Sequence, residues 1–115
     1  MFVSCPLRAA AIVALLLAAS AAEPVRADDM PVIKVEMRDG VILPAVIEVP
    51  ANTRFKLEIS NTGQSPVEFE STELKREKAL AAGSTSAIVF RTLDAGTYQV
   101  FDDFHPDAKA TLVAK

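Results

Sequence analysis

Beyond residue 30, apolar and polar residues alternate in short runs broken by turn-forming residues. From Val32 to Met37, Ile33, Val35 and Met37 alternate with Lys34 and Glu36, a period of two that buries one face of a strand. Asp39-Gly40 marks the turn that follows. Val46-Ile47-Glu48-Val49 reads as a second strand, stopped by Pro50-Ala51-Asn52. In Arg54 to Ile59 the alternation is strict, with Phe55, Leu57 and Ile59 inward and Arg54, Lys56 and Glu58 outward. After an Asn61-Thr62-Gly63 turn, Val67-Glu68-Phe69-Glu70 places Val67 and Phe69 inward and both glutamates on the opposite face. Ala87 to Phe90, Thr97 to Phe101 and Thr111 to Val113 bring the predicted strands to about seven. The charge-rich run Ser71 to Lys78 is expected to form a turn of helix begun by a Ser or Thr cap. Without a repeat or a linker, the pattern describes one small all-β domain, a sandwich or a barrel.

The start of the chain follows another pattern. Ala9 to Ala22 is apolar except for Ser20, and Arg8 precedes it. About 20 apolar residues are needed to span a bilayer, so this run is short for a membrane helix and suits a secretory signal. Small residues offer cleavage after Ala22, at Ser20-Ala21-Ala22, or after Ala27, at Val25-Arg26-Ala27. The second leaves a charged, solvated Asp28-Asp29 start, and gives a signal peptide at 1–27 and a domain at 28–115. Left uncut, the same segment would be an N-terminal anchor. Cys5 precedes the apolar run, whereas a lipoprotein cysteine follows one, so it departs with the signal. The expected location is the periplasm, with no membrane insertion of the mature chain.

Removing the signal changes the composition. The chain is 50% hydrophobic overall, but much of that lies in the signal, and the only cysteine goes with it. Losing Arg8, Arg26 and Glu23 moves the net charge from −3 to −4, spread over both signs. That leaves neither a basic nucleic-acid face nor an acidic tail. A domain this small without disulfides must rest on well-packed sheets. No Gly-x-Ser-x-Gly elbow, Cys or His pair, or glycine-rich loop before a helix is present, which removes the usual hydrolase, zinc and nucleotide signatures. Met30 and Met37 are too few for a soft copper cluster.

The chemistry concentrates in Gly96-Thr97-Tyr98-Gln99-Val100-Phe101-Asp102-Asp103-Phe104-His105-Pro106, where a strand runs into two carboxylates and the only histidine. Imidazole and carboxylate together make an O/N site for iron, copper, zinc or manganese, although one loop cannot complete a coordination shell. Spacing alone leaves a second reading open, in which Asp102 and Asp103 shape a turn and His105 is a surface side chain.

Gly-Thr-Tyr-x-Val-Phe-Asp-x-Phe-His, preceded by Asn61-Thr62-Gly63 and Val67-Glu68-Phe69-Glu70, resembles the C-terminal half of a cupredoxin. Leu43 to Ala51 resembles a stretch common in cupredoxin-like domains, so the likeness extends over nearly all of Pro31 to Lys115. It implies a Greek-key β-sandwich. It also sets Asp102 where that family has its copper-binding Cys, His105 at the loop histidine, and Val67, or Glu68 with a slip of one, at the earlier histidine. Beyond His105 no methionine follows, and without a thiolate there is no blue-copper centre.

Glu68-Phe69-Glu70-Ser71, Leu74-Lys75-Arg76-Glu77-Lys78 and Phe104-His105-Pro106 are similar, in order, to motifs of the cupredoxin-like domains of bacterial iron-uptake systems of the EfeO and FtrB type. That resemblance implies a periplasmic protein that binds copper or iron and assists Fe²⁺ oxidation beside an inner-membrane iron permease. The ligand set it suggests is Glu68, Glu77, Asp103 and His105, with Asp102 next. Each also has a structural reading: Glu68 and Glu70 as a solvent face, Glu77 paired with nearby lysines, Asp102 capping the loop backbone. The rival function is a metal-free binding module that docks on a membrane partner through Ser71 to Lys78. A self-sufficient ferroxidase would also need somewhere to send its electrons, so enzymatic activity is left open.

Overall fold

The computed structural model describes Val3 and residues 30–115, and the cleavage points of the expected signal lie outside these residues. Nine strands are present: β1 (Val32–Arg38), β2 (Val41–Leu43), β3 (Val46–Val49), β4 (Phe55–Asn61), β5 (Val67–Ser71), β6 (Arg76–Leu80), β7 (Thr85–Phe90), β8 (Gly96–Asp102) and β9 (His105–Ala114). They form a four-stranded sheet in the order β2-β1-β4-β7 and a five-stranded sheet in the order β3-β9-β8-β5-β6. The chain crosses between layers repeatedly, which makes β1 run parallel to β4 and β3 parallel to β9, while the other pairs are antiparallel. The all-β sandwich expected from the sequence is the fold observed, with no helix among the described residues.

Period-two alternation produces the core directly. Along β4, Phe55, Leu57, Ile59 and Asn61 are buried between half-buried Lys56, Glu58 and Ser60. Val35, Met37, Leu57 and Phe90 of one sheet share a single apolar cluster with Ile47, Phe69, Val100 and Leu112 of the other. Phe55 stacks on Phe90 with centroids 5.0 Å apart and an interplanar angle of 14°. Each such side chain contributes about 1.5–3 kcal/mol on burial, so the two facing layers stabilise the domain without a cross-link. Buried Asn61 ties down the connection to β5: Nδ2 donates to the Ser65 and Leu80 carbonyls, and Oδ1 accepts from the Gly63 N–H.

Two strands exceed the seven predicted. β2 is a three-residue edge strand, too short to show a period. β6 begins inside the charged run, at Arg76, and the expected turn of helix there does not form. Ser71 does cap, its Oγ accepting the Leu74 N–H at 3.4 Å, and the Thr72 carbonyl accepts the Lys75 N–H at 3.2 Å. The chain then reverses through Lys75 at φ +53° and pairs with β5 from Arg76 to Leu80. An isolated helical turn is marginal in water, whereas a strand added to a sheet gains a full ladder. As an edge strand β6 keeps Arg76, Glu77 and Lys78 exposed, which opposes pairing with other chains. Arg76 also reaches the other sheet, donating to the Val89 carbonyl at 2.8 Å and lying 5.1 Å from the Phe90 ring centroid.

Candidate metal centre

β8 and β9 are joined through Asp103-Phe104, with Asp102 paired to His105 and an irregularity between Phe101 and Asp102. On the other side β8 borders β5, with Phe69 opposite Asp102 and Glu70 opposite Phe101. Strand alternation therefore sorts the candidates onto two faces. Phe69 and Asp102 are buried, while Glu68 and Glu70 are half-buried on the outer surface and Asp103 is exposed in the turn.

The inner group centres on Asp102, 1% exposed. Its Oδ1 accepts the Glu68 N–H at 2.9 Å and the Phe104 N–H at 3.0 Å, and its Oδ2 accepts the His105 Nδ1–H at 2.8 Å. The contact to Phe104, two residues on, is the local turn bond expected of aspartate. The contact to Glu68 spans 34 residues and clips the turn onto β5, reinforced by the Asp103 N–H donating to the Glu68 carbonyl at 2.9 Å. A carboxylate takes only acceptor roles when ionised, so the short bond calls for a proton on His105 Nδ1. Nε2 lies 3.5 Å from Ser65 Oγ, and Ser65 Oγ donates to Asp39 Oδ1 at 3.2 Å. The Asp39 carboxylate fits beside Gly63 because a Cβ there would stand 2.8 Å from its oxygen.

The outer group is built differently. Ligand-type oxygens of Glu68, Glu70 and Asp103 lie within 4.8 Å of one another. Glu77 sits directly across the strand pair from Glu70, and its charge acts on Glu68 as well. Partial desolvation, and then the negative charges of Asp103, Glu77 and Glu70, hold the Glu68 carboxyl above its ordinary range. Glu70 is raised in the same direction by desolvation, Asp103 and Glu77. The ion pairs among the described residues join Arg38 to Glu36, His105 to Asp102 and Lys115 to Glu48, and none reaches this cluster.

The five residues suggested by the sequence thus divide. Glu68 and Asp103 come together with Glu77 beside them, whereas His105 and Asp102 form the separate inner pair. Glu70 joins the outer group although the suggested ligand set left it out; its signal was the alternation itself, which sets it on the same face as Glu68. Val67, at the earlier histidine slot of the resemblance, is fully buried in the core. A type-1 copper ion does not fit this arrangement. The described residues contain no cysteine, and the side chain at the thiolate position already holds three donors.

Comparison with known proteins agrees with the architecture. An uncharacterized protein of Rickettsia prowazekii (strain Madrid E) is 35% identical over 80 residues, which are 70% of this chain and 64% of the relative. The matched region therefore spans just under two thirds of that relative's length. Among solved structures, the metal-binding domain of the Streptococcus pneumoniae D39 Cu(I)-exporting P-type ATPase CopA superposes with a TM-score of 0.64 at 13% identity, covering 73% of this chain and 84% of that one. Auracyanin B gives 0.61 at 17% identity, over 74% and 88%. The purple cupredoxin of Nitrosopumilus maritimus gives 0.56 at 16%, over 71% and 98%. At these identities the structural matches speak for the fold alone. The sequence profile of the cupredoxin-like domain, however, runs from residue 7 to residue 114, and by that near-complete match the chain belongs to the cupredoxin-like domain family.

Proposed function

We propose that this is an exported, metal-binding cupredoxin-like protein of ferrous-iron acquisition, which takes iron as its substrate beside an inner-membrane permease. The fold generally serves copper binding or electron transfer, and here the donor set favours an oxygen-seeking ion over a thiolate-bound one. The observation that carries the reading is the convergence of Glu68, Glu70 and Asp103, none of which is ion-paired to a lysine or arginine among the described residues. Like charges set across a strand pair destabilise a sheet, and a bound cation reverses the sign of that term. Carboxylates bind Fe³⁺ more tightly than Fe²⁺, so such a site lowers the potential of the ion and assists its oxidation. Each Fe²⁺ oxidised releases one electron, which a redox partner must accept. The apolar segment from Ala9 to Ala22 and the three ordered motifs that resemble iron-uptake cupredoxins support export and the permease partnership.

Anaerobic calorimetric titration of the exported protein with Fe²⁺, and separately with Cu²⁺, tests the assignment. Saturable heat that is lost in Glu68→Gln/Glu70→Gln is expected, and no heat with either ion refutes it. The rival metal-free docking module is favoured by one feature, the exposed charged side chains of Arg76, Glu77 and Lys78 at the end of the Ser71 to Lys78 run. It predicts no heat of metal binding at all.

A further inference from the structure

We infer that the Asp102–His105 pair is a metal-free lock, in which a proton joins two side chains at the positions where the family resemblance expects two metal ligands. The Asp102 Oδ2 to His105 Nδ1 distance is 2.8 Å, that of a charge-assisted hydrogen bond. Two donors sharing a first-row cation through bonds of about 2.0–2.2 Å stand roughly 2.8–3.6 Å apart, so the observed separation lies at the short limit for a shared ion, and neither donor could keep a proton between them. The other carboxylate oxygen is taken by two backbone donors, and no buried polar side-chain atom among the described residues lacks a partner. The buried Asp102 carboxylate is therefore fully paired as it stands.

The lock has a structural task. Around one buried carboxylate it fastens β5 at Glu68, the turn at Phe104 and the start of β9 at His105. The Asp103 N–H to Glu68 carbonyl bond lies beside it, so the same clip sets the backbone from which the Glu68 and Asp103 side chains leave the sheet. His105 is then a positioning residue rather than a ligand. This inference does not rest on the outer cluster binding metal.

The test compares His105→Asn with His105→Ala in the full exported protein, prepared with a chelator. An asparagine side-chain N–H lies near the place of the imidazole Nδ1–H but offers no ring nitrogen to a metal. The alanine variant is expected to melt about 10 °C lower, as for loss of a hydrogen bond to a charged group in a domain of this size, and the asparagine variant within about 3 °C of wild type. Titration with Cu²⁺ is expected to give wild-type affinity within about threefold for the asparagine variant. The inference is overturned if asparagine melts as low as alanine, or if it folds normally yet binds Cu²⁺ tenfold or more weakly. Should the alanine variant fail to fold, the asparagine variant against wild type still decides. Should wild-type protein bind no Cu²⁺, the metal reading of the outer cluster is weakened, and the melting comparison alone decides the lock.

Discussion

Asp102 and the Glu68–Glu70–Asp103 group lie at the same corner of one sheet, one buried and the other on its outer surface, and their surroundings are opposite too. The buried carboxylate is saturated with donors: two backbone N–H groups and an imidazole N–H converge on it. The outer carboxylates have each other, with Glu77 adjacent and no lysine or arginine paired to them among the described residues. A carboxylate whose lone pairs are filled by fixed donors stabilises the fold that supplies them. One surrounded by its own kind strains the fold and gains most from an external cation. Residue type alone does not separate a structural aspartate from a binding glutamate, whereas the count of donors around each one does.

The sharpest way to break this contrast is Asp102→Ala. It strips three donors of their acceptor at a side chain buried to 1% exposure, with an expected loss of about 3 kcal/mol of stability by urea unfolding. A loss below about 1 kcal/mol would mean that water replaces the carboxylate and that the inner group carries little load. The outer group should respond with the opposite sign. In Glu68→Gln/Glu70→Gln, removing two mutually repelling charges is expected to raise the urea midpoint of the metal-free protein while weakening iron binding on the order of tenfold or more, equivalent to about 1.4 kcal/mol or more. If that variant is less stable than wild type, the outer carboxylates are structural after all. Asp103→Asn, at an exposed turn position, should lower metal affinity less and leave stability within about 0.5 kcal/mol.

The sandwich was legible because its faces repeat with period two: Phe55, Leu57 and Ile59 were placed inward from sequence and are fully buried. β6 was not legible, because Arg76, Glu77 and Lys78 take their strand conformation from pairing with β5 and have no apolar alternation of their own. The metal-centre candidates were recognisable as residue types but not as groups. Asp102 and Asp103 are neighbours in the chain, yet the end of β8 sends one to the core and leaves the other exposed in the turn. The Glu68 N–H that meets Asp102 comes from 34 residues away, a partnership fixed by the order of β5 and β8 in the sheet. Among the structural readings weighed for Asp102, that of a cap on the loop backbone describes its contacts.

The smallest effects concern the pH response of the outer group, and they sharpen the comparison most finely. Glu68 and Glu70 are held above their ordinary range, so the folded protein retains their protons to higher pH than the unfolded chain does. Their contribution is therefore most favourable below the unfolded carboxylate value and is lost as pH rises through the window up to the raised folded value. Urea midpoints across the acid range should show this decline in wild type relative to Glu68→Gln/Glu70→Gln, the difference between the two isolating these groups from all other carboxylates. Glu77→Gln removes one of the neighbours that raise both glutamates while leaving the Glu68–Glu70–Asp103 oxygens in place. It should narrow the window without abolishing it and change metal affinity by less than about threefold, or under about 0.7 kcal/mol. A Glu77→Gln variant that loses metal binding as completely as the double substitution would make Glu77 a ligand and move the centre of the site toward β6.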